Sequence, residues 1–223
     1  MSKIIVSYDG TANEVDAIAL GRVFGQAGGE VSLAYVRHTP ETDQGEAQGV
    51  LDRGVELLGD ASAKRHVVTD RSTPQGLAAL AASEGADVIV FCSDSHTAKG
   101  HVAVGNSAQR LLEGGNAAVA IAPVGFAQRA EGAHVQSIVA IGDGEGGARE
   151  TAEALAGALG ATVAPVVNDE TGLLVIDSRA DAEAGRVSLS SSAAHLIDTA
   201  TCPVLVLPRG VKPAFGRTAA AAV

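Results

Sequence analysis

A chain of 223 residues with 46% hydrophobic content is long enough for one large or two small domains around a well-buried core. Aromatic residues contribute only 3% and tryptophan is absent, which argues against the stacking platforms that hold single-stranded nucleic acid. The 16 Lys and Arg against 26 Asp and Glu give a formal charge of -10, a field that repels phosphate backbones and anionic membranes and leaves any phosphate site to local geometry. The opening MSKIIVSYDG carries no signal-peptide pattern, and no apolar run approaches the roughly 20 residues that span a bilayer, so a cytoplasmic protein with neither nucleic-acid nor membrane partners is expected. Cys92 and Cys202 stand too far apart for a metal-ligand spacing or a disulfide framework and read as small buried hydrophobes.

Strand-like apolar runs alternate with Ala- and Leu-rich stretches of helical period, the pattern of a parallel sheet covered by helices. In chain order the spacing predicts a strand at Lys3–Tyr8, a helix at Glu14–Gln26, a strand at Val31–Val36, a helix at Gln44–Leu58 and a strand at His66–Val68. A helix at Pro74–Glu84, a strand at Asp87–Cys92, a helix at Ser107–Glu113 and a strand at Ala117–Ala122 complete the first unit, residues 1–123. Residues 124–136, charged and glycine-containing, read as a linker. The pattern then restarts. Ile4–Thr11 (IIVSYDGT) matches Ile138–Glu145 (IVAIGDGE), with Asp9 over Asp143 and Gly10 over Gly144. Further on, Ser107-Ala108 and Leu111-Leu112 fall over Ser192-Ala193 and Leu196-Ile197, and Pro123 falls over Pro208. The register shortens between these two matches, because the strand Thr162–Val167 is followed almost at once by the strand Leu173–Asp177. The second unit, residues 137–208, therefore lacks the counterparts of the second helix, third strand and third helix, and its exposed sheet should lean on the first unit. Residues 209–223, with Gly and Pro at the front and bare Ala at the end, read as a flexible tail.

Two places carry chemistry. Asp9-Gly10-Thr11 sits at the carboxyl edge of the sheet, where ligands of open α/β folds bind. Asp9 there either accepts hydrogen bonds from ribose or a base amine, or merely caps the approach to the helix while Gly10 takes a positive φ. The loop Ser93–Asn106 (SDSHTAKGHVAVGN) leaves the fourth strand and ends at a helix start, where backbone N–H groups and the helix dipole attract anions. Ser95, Asn106 and Ser107 add donors, Gly105 admits close approach, and His96, Lys99 and His101 offer positive charge, while Asp94 must turn away from a phosphate or the ligand must be weak. The same segment also reads as an ordinary loop with Asn106 as helix cap. His96 and His101 lack the spacing of a metal pair, so no metal is expected. Ser107 lacks the closing glycine of a nucleophile elbow, so no catalytic residue is assigned.

The element order, the Asp9-Gly10-Thr11 ending and Gly105-Asn106-Ser107-Ala108-Gln109-Arg110-Leu111-Leu112 followed by a strand and Pro123 resemble the universal stress protein family. Ala193–Pro208, closing on Cys202-Pro203-Val204-Leu205-Val206-Leu207-Pro208, resembles the same family ending. The likeness takes in all but the linker and tail. Nucleotide-binding members carry Gly, two residues, Gly, nine residues, Gly, then Ser or Thr. Those places hold Cys92, Ser95, Gly105 and Asn106 in the first unit, and Asp177, Ala180, Ser190 and Ser191 in the second. The resemblance thus implies a degraded site in the first unit and none in the second. It carries the family aspartate to Asp9 and Asp143, and the adenine-reading backbone to Tyr35 and Val36.

The expected fold is α/β, two stacked tandem units with parallel sheets, five-stranded in the first and shortened in the second. Pairing of Ala117–Ala122 with Val204–Leu207 would make an internal pseudo-dimer, with further homo-oligomers open. The expected function is a non-enzymatic stress-response regulator that binds AMP or ATP weakly through Asp9, Tyr35, Val36, Ser95, Gly105, Asn106 and Ser107. The alternative is a nucleotide-free module that contacts a protein partner. An ATP pyrophosphatase would need a Ser-Gly-Gly loop after the first strand, and Tyr8-Asp9-Gly10-Thr11 is not one.

Overall fold

The computed structural model describes residues 1–39, 44–94, 96–130, 135–142 and 147–216. The first unit runs β1 (Lys3–Ser7), α1 (Glu14–Gln26), β2 (Glu30–Arg37), α2 (Gln44–Leu58), β3 (Lys64–Thr69), α3 (Thr73–Glu84), β4 (Val88–Cys92), α4 (Asn106–Gly114) and β5 (Ala118–Ala122). A short α5 (Phe126–Ala130) leads on to β6 (Ser137–Ile141), α6 (Gly147–Leu159), β7 (Thr162–Ala164), β8 (Leu173–Asp177), α7 (Ser191–Thr199) and β9 (Val204–Leu207). The α/β character with a mostly parallel sheet matches the expectation, and the second half carries no element in the places of α2, β3 and α3.

The strands form one nine-stranded sheet in the order β3-β2-β1-β4-β5-β9-β8-β6-β7. Every pairing is parallel except β5 with β9, where Val119, Ala120 and Ile121 lie opposite Val206, Leu205 and Val204. Helices α1, α2, α5 and α6 cover one face, with Leu20, Phe24, Leu51 and Leu155 in its core. Helices α3, α4 and α7 cover the other, over Ile89, Ile121, Leu174 and Ile176. With both faces covered, the halves join edge to edge rather than stacking, which corrects the stacked arrangement expected from sequence.

Three other expectations change. The segment expected as a linker begins with a turn and α5, because the buried carboxylate of Asp16 on α1 accepts from the N–H groups of Gly125 (2.8 Å) and Ala127 (2.7 Å). A carboxylate at a helix N-terminus neutralises donors that have no intrahelical partner. The strand expected through Val167 stops at Ala164, since Pro165 has no N–H to continue a ladder, and Val166 and Val167 are exposed. The start of the expected flexible tail is also docked. Ala214 C=O accepts from Ser2 N–H (3.0 Å), Gly216 N–H donates to Ala27 C=O (2.9 Å), and Phe215 stacks on Phe24 with ring centroids 5.5 Å apart. Gly and Pro lower the helical and strand tendency of this stretch, yet a single aromatic side chain finding an apolar notch beside Phe24 is enough to hold it. The last seven residues lie outside the described ones.

Phe215→Ala is expected to lower the unfolding free energy by about 3 kcal/mol, as for other buried aromatic truncations. Chemical denaturation checks it; a mobile tail would give no change.

Candidate functional site

Asp9, Tyr35 and Val36 come together at the carboxyl edge of the first unit. The β1–β2 ladder ends with Ser7 opposite Ala34, and Tyr8 N–H donates to Ala34 C=O (2.9 Å). β2 continues to Arg37 against β3. Backbone groups alternate sides along a strand, so those of Val36 face the space that β1 has vacated, beside Asp9. That edge directs one N–H and one C=O of Val36 toward this space.

The β1–α1 turn is more occupied than the sequence suggested. Gly10 has φ +87°, as a tight turn requires, and Asp9 Oδ1 accepts from Thr11 N–H (3.0 Å), so Asp9 closes its own turn. Glu14 went unnoticed in the sequence. It is 7% exposed, and its Oε2 accepts from the N–H groups of Asp9, of Gly10 at 2.8 Å and of Thr11 at 3.3 Å. Burial, followed by the adjacent Asp9 carboxyl, pushes Glu14 up to about 8, so at neutral pH it is largely protonated. The same crowding reaches its neighbours. Burial and then Glu14 push the Cys92 thiol up to about 12, and burial and then Glu14 raise the Tyr8 phenol. An acidic residue in the first helical turn, a few positions after a strand-ending Asp-Gly, is the sequence signal that could have found Glu14.

The loop after β4 is pinned by a residue the sequence reading also missed. Ser93 is buried; its hydroxyl donates to Ala122 C=O (2.7 Å) and accepts from Ala103 N–H (3.1 Å). Gly100, at φ +89°, donates to Val124 C=O (2.8 Å), and Val124 N–H donates back to His101 C=O (3.1 Å). The second half repeats each contact. The Ser178 hydroxyl donates to Leu207 C=O (2.8 Å) and accepts from Ser188 N–H (3.3 Å), and Gly185, at φ +75°, donates to Arg209 C=O (2.8 Å).

The two helix starts then differ. At α4 the capping position is Gly105, with φ -69° and ψ 161°, and no side chain caps it among the described residues. A Cβ built on Gly105 would meet nothing within 4 Å, so there is open space beside this helix start, whose first-turn N–H groups have no partner from the capping residue. At α7 the matching residue Ser190 accepts from Ala193 N–H (3.1 Å) and closes the helix end. Asp177, at the place of Cys92, directs Oδ2 onto Ala148 N–H at the start of α6 (2.8 Å). In the second half, then, Ser190 and Asp177 each bond one backbone N–H, at the starts of α7 and α6.

The flanking charges are not gathered as a cradle. Asp94 turns to His96, accepting from its N–H (2.9 Å), and that bond, helped by the imidazole, holds the carboxyl below its usual range. Lys99 Nζ donates to Gln128 Oε1 on α5 (2.8 Å). Ser95, Asp143 and Gly144 lie outside the described residues. Among the described residues no cluster of three metal-binding side chains occurs, and no helix is long and apolar enough to cross a membrane.

No known family profile and no curated protein matches the chain. Solved structures do. A functionally unknown protein from Pseudomonas aeruginosa is similar over 96% of this chain and 93% of its own, with 16% identity and a TM-score of 0.68. A universal stress protein from Archaeoglobus fulgidus covers 93% of this chain and 98% of its own at 16% identity and a TM-score of 0.67. A candidate universal stress protein from Pseudomonas aeruginosa covers 95% and 93% at 16% identity and 0.65. The chain has the fold of the universal stress proteins, and at this level of identity the likeness concerns the fold.

Glu14 sets a pH dependence. Its folded value of about 8 lies above the ordinary 4.5, so the folded state holds a proton that the unfolded state releases. Stability from this group is complete below about 4.5 and is lost as pH rises through about 8, on the order of a few kcal/mol in all. Glu14→Gln keeps an oxygen on the three N–H groups and cannot ionise. Denaturation at several pH values should show the variant gaining on the wild type as pH rises across that window; a constant difference would refute the assignment.

Proposed function

We propose that this chain is a non-catalytic stress-response regulator of the universal stress protein type, whose two halves act as an internal pseudo-dimer with one weak adenine-nucleotide site. The site lies in the first half. Adenine lies against the Val36 backbone, next to Tyr35 and beside Asp9, and the phosphate sits over Gly105, Asn106 and Ser107. The observation that carries this reading is the contrast between the two helix starts: α4 opens at Gly105 without a cap, whereas Ser190 closes α7. Donors that the protein leaves unsatisfied are available to a ligand, and donors already bonded are not. The family glycines replaced by Cys92 and Ser95, and the carboxylates of Asp9 and Asp16 nearby, weaken polyphosphate binding, which favours AMP over ATP.

A second reading has its own support. Glu14 occupies the N–H groups of the β1–α1 turn, and Lys99 is spent on Gln128. These contacts favour a module that has given up its nucleotide and works by contacting a protein.

Calorimetry with AMP, ADP and ATP separates the two. The nucleotide reading expects at most one site per chain, lost in Gly105→Val and retained in Ser190→Val. Because Gly105 has an ordinary φ and open space around it, the first change leaves the fold intact. Removing the Ser190 cap costs about 1 kcal/mol of stability without touching binding. Two equal sites, or binding that survives Gly105→Val, would sink the assignment, and no binding at millimolar nucleotide would leave the protein-contact reading.

A further inference from the structure

On the sheet face that carries α3, α4 and α7, an open cleft of about 600 Å³ lies between α4 of the first half and α7 of the second. Its walls are two matching sets: Val102, Val104 and Leu112 on one side, and Val187, Leu189 and Ile197 on the other. The match follows from the antiparallel β5–β9 ladder, which centres on the equivalent pair Ala120 and Leu205 and so relates the two halves by a local two-fold. Leu112 and Ile197 are buried, while Val104, Val187 and Leu189 are half-buried and present apolar surface to the opening. The rims are acidic. Glu113 on α4 and Asp198 on α7 are exposed and occupy equivalent places, and no lysine or arginine lines the cleft. The nearby Arg186 is held by the C=O of Gly114. Gln109 Nε2 donates to Glu113 Oε1 at 3.0 Å, steadying that carboxylate at the rim.

An apolar trough with one carboxylate on each bank selects a particular occupant. Nucleotides and other anions are repelled. A neutral apolar ligand would cover the trough but bring its own bulk against two hydrated carboxylates, which resist desolvation. A second copy of the chain docked face to face would oppose Glu113 and Asp198 with the same acids. We propose that the cleft binds an amphipathic dication: a linear apolar chain ending in ammonium groups, one end at Glu113 and the other at Asp198. The chain buries methylenes against the valines, Leu112, Leu189 and Ile197, and the charged ends stay at the wet rims.

The test is calorimetric titration of the full chain with octane- and decane-α,ω-diamine, compared with decane-α,ω-diol and with spermidine. Saturable binding of one diamine per chain is expected, with the diol and spermidine each clearly weaker. Glu113→Gln combined with Asp198→Asn changes only exposed side chains and should weaken the diamine by about tenfold, the sum of two surface charge contacts. Ala194→Phe, at an exposed position of α7 on the cleft, should abolish binding while the melting temperature stays put. The proposal is overturned if no diamine binds at millimolar concentration, if the diol binds as tightly, or if Ala194→Phe leaves binding intact. It is equally overturned if wild-type protein forms a dimer that Ala194→Phe dissolves, since the cleft would then belong to a second copy. None of these outcomes depends on whether the nucleotide site exists.

Discussion

The antiparallel ladder of Val119, Ala120 and Ile121 with Val206, Leu205 and Val204 is the contact on which the other features rest. All six side chains are fully buried, and burying a Val, Leu or Ile contributes about 1.5–3 kcal/mol. The ladder also removes two sheet edges at once. Without it β5 and β9 would each present unpaired N–H and C=O groups, and the four strands of the second half would form a small sheet with an exposed flank. Joined through it, they extend a five-stranded sheet to nine.

The ladder's symmetry reaches the loops. Ser93 and Ser178 anchor the segments after β4 and β8 in the same way, and Gly100 and Gly185 turn them back toward β5 and β9 with the same backbone bonds. On this shared frame the halves diverge through small substitutions. One hydroxyl at Ser190 closes a helix start that Gly105 leaves open. The frame is common to both halves, and the two helix starts differ by a single side-chain oxygen.

The cross-connections are made by side chains from elements far apart in sequence. Asp16 on α1 caps the turn into α5 and so fixes how the chain leaves β5 toward the second half. Phe215, beyond the last strand, returns to Phe24 on α1 and ties the end of the described chain to its beginning. Lys212 adds an ion pair to Glu150 on α6 at 2.8 Å, although at exposed positions such a pair contributes little.

The sequence alone determined the order of strands and helices, because their periods are local properties: α1, α2 and β8 begin and end where the pattern placed them. It also showed the missing elements of the second half, since a shortened register between two matches is visible in one dimension. Asp9 and Gly105 could be named because they stand at a strand end and a helix start, where ligand sites of this architecture fall, whereas Tyr35 and Val36 came only from the family resemblance. Glu14 and Ser93 could not be assigned roles. Each acts on backbone groups brought to it by folding, and nothing in residue type alone says which N–H a carboxylate will find. The pairing of the two last strands was expected from the sequence, but that the halves continue as one sheet rather than stack needed the tertiary structure, because only the covering of both faces by helices rules out stacking. Phe215 was hidden for the same reason: its anchor on Phe24 lies at the other end of the chain, and the contact exists only once the sheet has brought the two together.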